Sequence, residues 1–211
     1  MKLYGALFSP FVRKVAAFLN EKGLSFDHDP IVPIGDQPQE FLAASPLKKV
    51  PAFRDGDFTL ADSTAICTYL DAKYPEVRLI PDEAEARGQT IFWDKFSDTV
   101  LTAAAGKVFF NRIIKPRFLR QDPDEAVIAE GLAEIAPRLD FFESAVPDAN
   151  AFLIGETITL ADIAVASPFV NLAHAGAAIG DEHPRTKAWI ASIHARASYA
   201  DMIAAERKMM A

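Results

Sequence analysis

Asp62 and Ser63 lie where a predicted strand gives way to a helix, and as a pair they suit the ends of an α-amino acid. Ser63 is predicted to cap the helix, whose free backbone N–H groups can receive a small carboxylate. Asp62 beside it can hold an ammonium group. The alternative is that Ser63 is only an N-cap.

Val50 and Pro51 offer a second kind of contact, because they come just before the first strand of a predicted hairpin. An X–Pro bond at that place can be cis. A cis bond would turn the Val50 amide and carbonyl outward as an edge that binds a peptide. In the purely structural interpretation, Pro51 only begins the strand.

The order of these motifs, VPAF from Val50 and DGDFTLADSTAI from Asp55, closely resembles the glutathione-binding half of the cytosolic glutathione transferases. In that family the cis-proline and the residue before it hold the cysteinyl backbone of glutathione, and an acidic-serine pair holds its γ-glutamyl end. The resemblance implies that glutathione is a co-substrate here and that Val50, Pro51, Asp62 and Ser63 bind it.

Ser9 is the catalytic candidate, since it occupies the place of the activating serine in the serine-type members of this family, the phi, tau, theta-like and bacterial relatives. Pro10 suits the first helical turn, so Ser9 is predicted as an N-cap. A hydroxyl there can donate to a thiolate, which the helix dipole also favours. Ser9 serving only as a cap is one alternative. Tyr4 is the second catalytic candidate, because other classes of the family activate glutathione with a tyrosine. Cysteine-type members carry a cysteine at the place of Ser9 and perform thiol exchange, so that reaction is not expected here.

One feature departs from the family pattern. Serine-type relatives usually carry a Lys, His or Arg in the loop after the second strand, where it neutralises the glycine carboxylate of glutathione. Here that loop reads PIGDQPQEF and has no cation. Lys49 is predicted to serve instead, with Arg13 and Lys14 as alternatives.

The second substrate is expected to be an apolar electrophile. Aromatic stripes more often belong to the core than to a cleft. The residues predicted to line its site flank Ser9 or lie on the first long helix of the second domain: Phe8, Phe11, Phe109, Arg112 and Ile113. No metal site is predicted.

Hydrophobic periodicity and turn residues predict the elements that carry these side chains. Asp55-Gly56 between apolar residues predicts a hairpin that runs into a helix ending at Tyr74-Pro75. Before it come a strand at Lys2–Leu7, a helix at Pro10–Lys22, a strand at Ser25–Ile31 and a short helix at Gln39–Ala44. The resemblance implies an α/β thioredoxin-like domain over residues 1–76, a linker over 77–86 and an all-α domain over 87–211.

In the second domain the predicted elements are all helices. The first covers about Glu83 to Ile114 and is ended by Pro116, and the second covers Asp124 to Val146 with a possible kink at Pro137. Thr159 and Asp162 predict a capping box, with Ile158 and Ile163 as a hydrophobic staple, at the start of an apolar helix. The last predicted helix covers Pro184 to Ala197.

Composition narrows the class of protein. With 211 residues, 50% of them hydrophobic, the chain can bury a sizeable core. A formal charge of −7 argues against a nucleic-acid surface. The single cysteine, Cys67, fits a reducing compartment and is predicted to be a small buried hydrophobe. No membrane segment or secretory signal is predicted, so we expect a soluble cytoplasmic protein.

Three activities remain open from the sequence. The first is conjugation of glutathione to hydrophobic electrophiles, and the second is a glutathione-dependent isomerase, peroxidase or dehalogenase on the same site. The third is a transferase-like protein that binds ligands without catalysis. The resemblance also implies a homodimer.

Overall fold

The computed structural model describes residues 1–177 and 179–210. Its first part contains a four-stranded mixed sheet with the strand order β2-β1-β3-β4. The strands are β1 (Lys2–Tyr4), β2 (Asp27–Asp29), β3 (Ala52–Asp55) and β4 (Phe58–Ala61). β1 runs parallel to β2 and antiparallel to β3, and β3 and β4 form the predicted hairpin around Gly56.

Three helices accompany the sheet: α1 (Pro10–Glu21), α2 (Gln39–Ala44) and α3 (Ser63–Lys73). Alternate residues of β1 face opposite sides of the sheet. Leu3 belongs to the main core together with the apolar face of α1, whereas Tyr4 belongs to a smaller cluster with Phe41 of α2. Both β1 and β2 are shorter than predicted. β1 ends before Gly5, whose φ is +127°.

The second part is helical. It begins with one continuous helix made of α4 (Ala84–Lys95), a π-helical segment (Phe96–Leu101), α5 (Thr102–Phe109) and a second π-helical segment (Phe110–Leu119). The prediction that Pro116 ends this helix was wrong. Pro116 lies inside the second π-helical segment, and the helix ends where Arg120 takes a left-handed conformation (φ 53°).

Four more helices follow: α6 (Glu125–Ala145), α7 (Leu160–His174), α8 (Pro184–His194) and α9 (Ala197–Met210). The last of these helices, α9, was not predicted from the sequence. Its core-facing positions are Tyr199, Met202, Ile203 and Glu206, a helical spacing whose last member is charged. Because a glutamate ends that stripe, the apolar pattern is too short to reveal the helix.

α7 is the central helix of this part, and nearly all its residues are buried. The predicted capping box is confirmed: Thr159 receives the Ala161 N–H, and Asp162 receives the Thr159 N–H at 2.8 Å. Pro168 lacks the N–H that would bond to the carbonyl four residues earlier. That carbonyl, of Ala164, instead accepts the Ser97 hydroxyl at 2.6 Å.

Cys67 of α3 is fully buried, as predicted, and burial raises the pKa of its thiol. Within residues 1–177 and 179–210, no helix has the length and apolar character needed to cross a membrane.

Candidate active site

Ser9 occupies the N-cap position of α1, as predicted. Its backbone is extended (φ −75°, ψ 121°), and its N–H donates to the Ala6 carbonyl at 3.0 Å. The Ser9 hydroxyl makes no capping hydrogen bond. The side chain is half-buried. A hydroxyl that the helix does not use, placed at a helix N-terminus, is available to an anionic ligand.

Gly5 allows Val50 to approach the loop that carries Ser9. A Cβ at Gly5 would lie 2.8 Å from the Val50 Cβ and 2.6 Å from Val12 Cγ2, and neither distance is tolerated. The φ of +127° at Gly5 is also one that other residues rarely adopt. Glycine at this position therefore lets Val50 contribute to the surface beside Ser9.

An almost wholly apolar cavity of about 250 Å³ adjoins Ser9. Its walls come from the loops before α1, α2 and β3, from the end of α5 and from the second π-helical segment. The lining residues are Ala6, Phe8, residues 31–34, Val50, Phe109, Ile114 and Phe118. A second cavity of about 260 Å³ shares Phe8, Ser9 and Phe109 with the first and also contacts Phe11 and Asn171. The rings of Phe8 and Phe109 lie 6.4 Å apart.

The structure thus places Phe8, Phe11 and Phe109 against these cavities, but not the other two predicted residues. Arg112 donates to the Ala175 carbonyl at 3.0 Å, and Ile113 is buried in the core. Residues 109, 112 and 113 would share a face of an α-helix. The winding here is π-helical, with bonds between residues five apart, so Ile114 and Phe118 face the cavity with Phe109 instead.

A separate groove of about 470 Å³ brings together the five residues predicted to hold glutathione: Lys49, Val50, Pro51, Asp62 and Ser63. The Val50–Pro51 peptide bond is cis. Val50 lines both this groove and the apolar cavity. The two spaces are therefore neighbours, with Val50 between them.

Asp62, and not Ser63, caps α3. Asp62 has a φ of 81°, and its Oδ1 accepts the Ala65 N–H at 2.9 Å. Ser63 is the first helical residue and is only 3% exposed, so the prediction that it is the cap was wrong. Ala65 engages only Oδ1, and the Asp62 carboxylate is exposed at the groove.

Two of the three cations suggested for the glycine carboxylate are committed elsewhere. Arg13 is fully buried and pairs with Glu206 at 2.8 Å. Lys14 is buried and pairs with Asp94 at 2.6 Å and with Asp98 at 2.8 Å. Lys49 is exposed and lines the groove, so it is the remaining candidate of the three.

The Lys14 ion cluster lies beside the groove and joins α1, α3 and the long helix. Thr64 donates to Asp94 at 2.7 Å, and Asp98 also lines the groove. Although burial lowers it, Asp94 and Asp98 raise the pKa of Lys14. Burial also raises the pKa of Asp98. The two carboxylates balance the charge of Lys14. Because the cluster joins three helices, it holds the wall of the groove in place.

Lys95, Asp98 and Thr99 were not predicted as groove residues. Lys95 donates to Thr64 Oγ1 at 2.9 Å, which ties the long helix to the first turn of α3. Their sequence shows only an amphipathic helix. No local signal could place them against Ser63, which is more than thirty positions earlier in the chain.

Tyr4, the alternative catalytic residue, lies on the sheet face that packs against α2, opposite the face covered by α1. It is buried in the cluster formed with Phe41, Ala44 and Ala52. Burial, together with the nearby Glu40, raises the pKa of Tyr4 to about 12. Tyr4 lines neither the groove nor the two cavities beside Ser9, so the structure leaves Ser9 as the candidate.

Comparisons with known proteins agree with this architecture. The family model of the glutathione S-transferase N-terminal domain matches residues 3–78, and that of the C-terminal domain matches residues 101–197. A glutathione S-transferase from Hyoscyamus muticus is 33% identical over 209 residues, which are 96% of this chain and 97% of that protein.

Two solved structures share the whole fold. A glutathione S-transferase from Rhodospirillum rubrum F11 has a TM-score of 0.86 at 27% identity, covering 95% of this chain and 90% of that one. Glutathione S-transferase-I, solved with lactoylglutathione bound, has a TM-score of 0.84 at 29% identity, covering 96% and 98%. With both domain models matched and a relative similar over nearly its full length, this chain belongs to the glutathione S-transferase family.

Proposed function

We propose that this protein activates the thiol of glutathione through Ser9 and transfers the resulting thiolate to small apolar electrophiles. The observation that carries the proposal is the Ser9 hydroxyl, which stands at the start of α1, has no capping role and adjoins an apolar cavity. A free thiol has a pKa of about 8.5 and is mostly protonated at neutral pH. A donor at a helix N-terminus favours the thiolate, and each pKa unit is worth about 1.4 kcal/mol.

Glutathione would occupy the groove that contains Val50, Pro51, Asp62 and Ser63. Asp62 Oδ2 would receive the γ-glutamyl ammonium, and the N-terminal turn of α3 at Ser63 would receive the carboxylate. The backbone of Val50 would hold the cysteinyl part, which directs the sulfur toward Ser9. Lys49 would meet the glycine carboxylate from the exposed end of the groove, where an ion pair contributes only about 0–1 kcal/mol.

The second substrate would enter the cavity lined by Phe8, Phe109 and Phe118. The sulfur attacks an electrophilic carbon, a thioether bond forms, and the leaving group departs with the electron pair. The cavity walls are nearly all apolar and offer almost no proton donors. This composition favours an electrophile whose leaving group is stable as an anion, such as an activated aryl halide. The product is a water-soluble thioether, so the reaction would be one of detoxification.

Turnover of glutathione with 1-chloro-2,4-dinitrobenzene tests the proposal, together with the variant Ser9→Ala. We expect conjugation to fall by about 10²-fold or more, because the hydrogen bond acts on charge that develops at sulfur. Glutathione should still bind, and the ultraviolet absorbance of its thiolate should disappear at neutral pH.

Ser25→Ala is the matched control, since Ser25 is exposed beyond the far end of α1. Full conjugation and an unchanged thiolate absorbance in Ser9→Ala would show that Ser9 is not the activating residue. Binding of glutathione by the unmodified protein, with no turnover on a panel of electrophiles, would support a binding protein instead.

A homodimer is part of the proposal. Phe92 and Phe141 are exposed and contact Trp93, and the Phe141 ring also lies 5.4 Å from that of Phe96. Leu47, in the loop between α2 and β3, is a further apolar side chain that a partner could cover, since it is 80% exposed. Exposed aromatic side chains that pack on the same buried ring form the kind of patch that a partner covers. We place the protein in the cytoplasm, where glutathione keeps thiols such as Cys67 reduced.

A further inference from the structure

Asn171 of α7 connects the helical part of the molecule to the loop that carries Ser9. Its Nδ2 donates to the Phe8 carbonyl at 2.8 Å, and its Oδ1 accepts from Arg13 Nη1 at 2.7 Å. The side chain is buried beside the second cavity. Since both ends of the amide are engaged, its orientation is fixed.

Arg13 is itself held on all sides. Its Nε and Nη2 donate to the two carboxylate oxygens of Glu206 at 2.9 and 2.8 Å, and its Nη1 also donates to the Ser167 carbonyl at 2.8 Å. Arg13 and Glu206 have no exposed surface, and His174 Nε2 lies 2.8 Å from Glu206 Oε2. Although burial raises it, Arg13 and His174 hold the pKa of Glu206 below its usual value.

The cost of burying these charges suggests that stability is not their whole purpose. Replacing a buried ion pair by well-packed apolar residues is often neutral or stabilising. Here the pair provides what apolar side chains cannot, an oriented donor at one particular carbonyl. The chain of contacts begins at Glu206 in the last helix and ends at the peptide bond between Phe8 and Ser9.

We propose that Asn171, held by Arg13 and Glu206, is a positioning residue that fixes the backbone from which the Ser9 hydroxyl extends. The Phe8 carbonyl and the Ser9 N–H belong to one planar peptide unit. Asn171 and Ala6 therefore hold this unit from its two sides, through the carbonyl and through the N–H. Small displacements of a reacting group are costly, about 10²-fold for 1 Å. The inference rests on the proposed role of Ser9.

Two variants test the positioning role. Asn171→Asp keeps the volume and the acceptor for Arg13 but removes the donor to Phe8, and Asn171→Ala removes both contacts. We expect the pKa of the bound glutathione thiol, followed by thiolate absorbance against pH, to rise by about one unit. The turnover number at neutral pH should fall by about tenfold, as one pKa unit implies. The affinity for S-methylglutathione, which has no thiol, should stay within about twofold, since Asn171 does not line the groove.

Glu21→Gln is the matched control. Glu21 pairs with Arg196 at 2.7 Å at the opposite end of α1, so it too links α1 to the C-terminal segment, but far from Ser9. It should lower the unfolding temperature without moving the thiol pKa. The Asp variant also serves if the Ala variant does not fold.

The outcomes separate the two claims. A normal thiol pKa in the unmodified protein overturns the proposed function and this inference with it. A lowered thiol pKa in the unmodified protein that Asn171→Asp leaves unchanged overturns the positioning role alone. The same rise in Glu21→Gln as in Asn171→Asp would also overturn it, because the effect would then come from general loosening of α1.

Discussion

Ser9 shows how a residue at a helix start stays free for a ligand. The Pro10 that follows needs no hydrogen bond at its nitrogen, and the Ser9 N–H is already used by Ala6. The hydroxyl is left without a structural task, while the N-terminal turn of α1 supplies a positive field. These conditions suit a donor to a thiolate.

Substitution of Ser9 by cysteine should change the kind of reaction. Serine only donates to the sulfur of glutathione, whereas a cysteine at a helix start has a lowered pKa and is itself a nucleophile. We expect Ser9→Cys to form a mixed disulfide with glutathione and to gain disulfide reductase activity as conjugation falls. Mass spectrometry of the intact protein and the two activity assays check this expectation, and conjugation at the original rate with no mixed disulfide would contradict it.

Asp62 caps α3 and also lines the groove proposed to hold glutathione. Asp62→Asn separates these two roles, because asparagine is an equally good N-cap and tolerates a positive φ. We expect stability to stay nearly unchanged and glutathione affinity to fall about ten- to a hundredfold, corresponding to a charged hydrogen bond of about 1.5–3 kcal/mol. Calorimetric titration measures this loss.

Asp124→Asn provides the comparison for Asp62→Asn. Asp124 caps α6 by accepting from Ala126 and Val127, away from the groove. It should bind glutathione as well as the unmodified protein does. Equal affinity of the Asp62 and Asp124 variants would mean that Asp62 does not hold the γ-glutamyl ammonium.

At the scale of elements, the sequence TLAD occurs twice, at Thr59–Asp62 and at Thr159–Asp162, and the two copies have different roles. The second copy forms the capping box of α7. The buried Asp162 accepts the Leu153 N–H at 2.7 Å as well as the Thr159 N–H, so it fastens the preceding loop to the helix start. The first copy lies on a groove and the second in the core. Only the second has a purely structural task.

Asp162→Ala should therefore lower stability without changing glutathione affinity. The loss should be about 1–3 kcal/mol at pH 7, since buried N–H donors lose their acceptor. Burial, partly offset by the hydrogen bonds from Leu153 and Thr159, raises the pKa of Asp162 to about 6, above its ordinary value of about 3.9. The folded state therefore binds the proton more tightly, and this contribution to stability is present below about pH 4 and lost as the pH rises through about 6.

Urea unfolding at pH 4 and pH 7 checks this sign. The difference in unfolding free energy between the unmodified protein and Asp162→Ala should be larger at pH 4, by up to about 3 kcal/mol for two pKa units. Other groups titrate in both proteins and cancel. A difference that is equal at the two pH values would show that the Asp162 pKa is not raised.

For the whole molecule, the proposed dimer rests on the aromatic surface of the long helix and α6. Phe141→Glu places a charge in the patch that also contains Phe92, Trp93 and Phe96. We expect a dimer in the unmodified protein and a monomer in this variant at micromolar concentration, because an unpaired charge is costly in an apolar interface. Light scattering distinguishes the two masses.

Leu132→Glu controls for the added charge. Leu132 is partly exposed on α6, and nine residues, about two and a half turns, place it on the other side of the helix from Phe141. It should remain dimeric. A monomeric unmodified protein would contradict the proposed dimer. Dissociation of both variants would mean that the loss of the dimer does not identify the aromatic patch as the interface.

Local signals in the sequence determined much of this protein. Asp55-Gly56 predicts the hairpin because the turn needs a positive φ, and the Thr159–Asp162 box predicts the start of α7 because its two ends bond to each other. The short helix α2 has the predicted bounds, Gln39–Ala44. The order of the glutathione motifs indicated the family, to which the chain belongs.

Tertiary contacts decided the rest. Arg13 and Lys14 are charged and look exposed in the sequence, yet both are buried because carboxylates from distant helices, Glu206 and Asp94, meet them there. The cavity wall of Phe109, Ile114 and Phe118 follows π-helical winding, which an α-helical period does not reveal. Such features depend on residues far apart in the chain, and their free energy arises only when the helical part packs against the sheet.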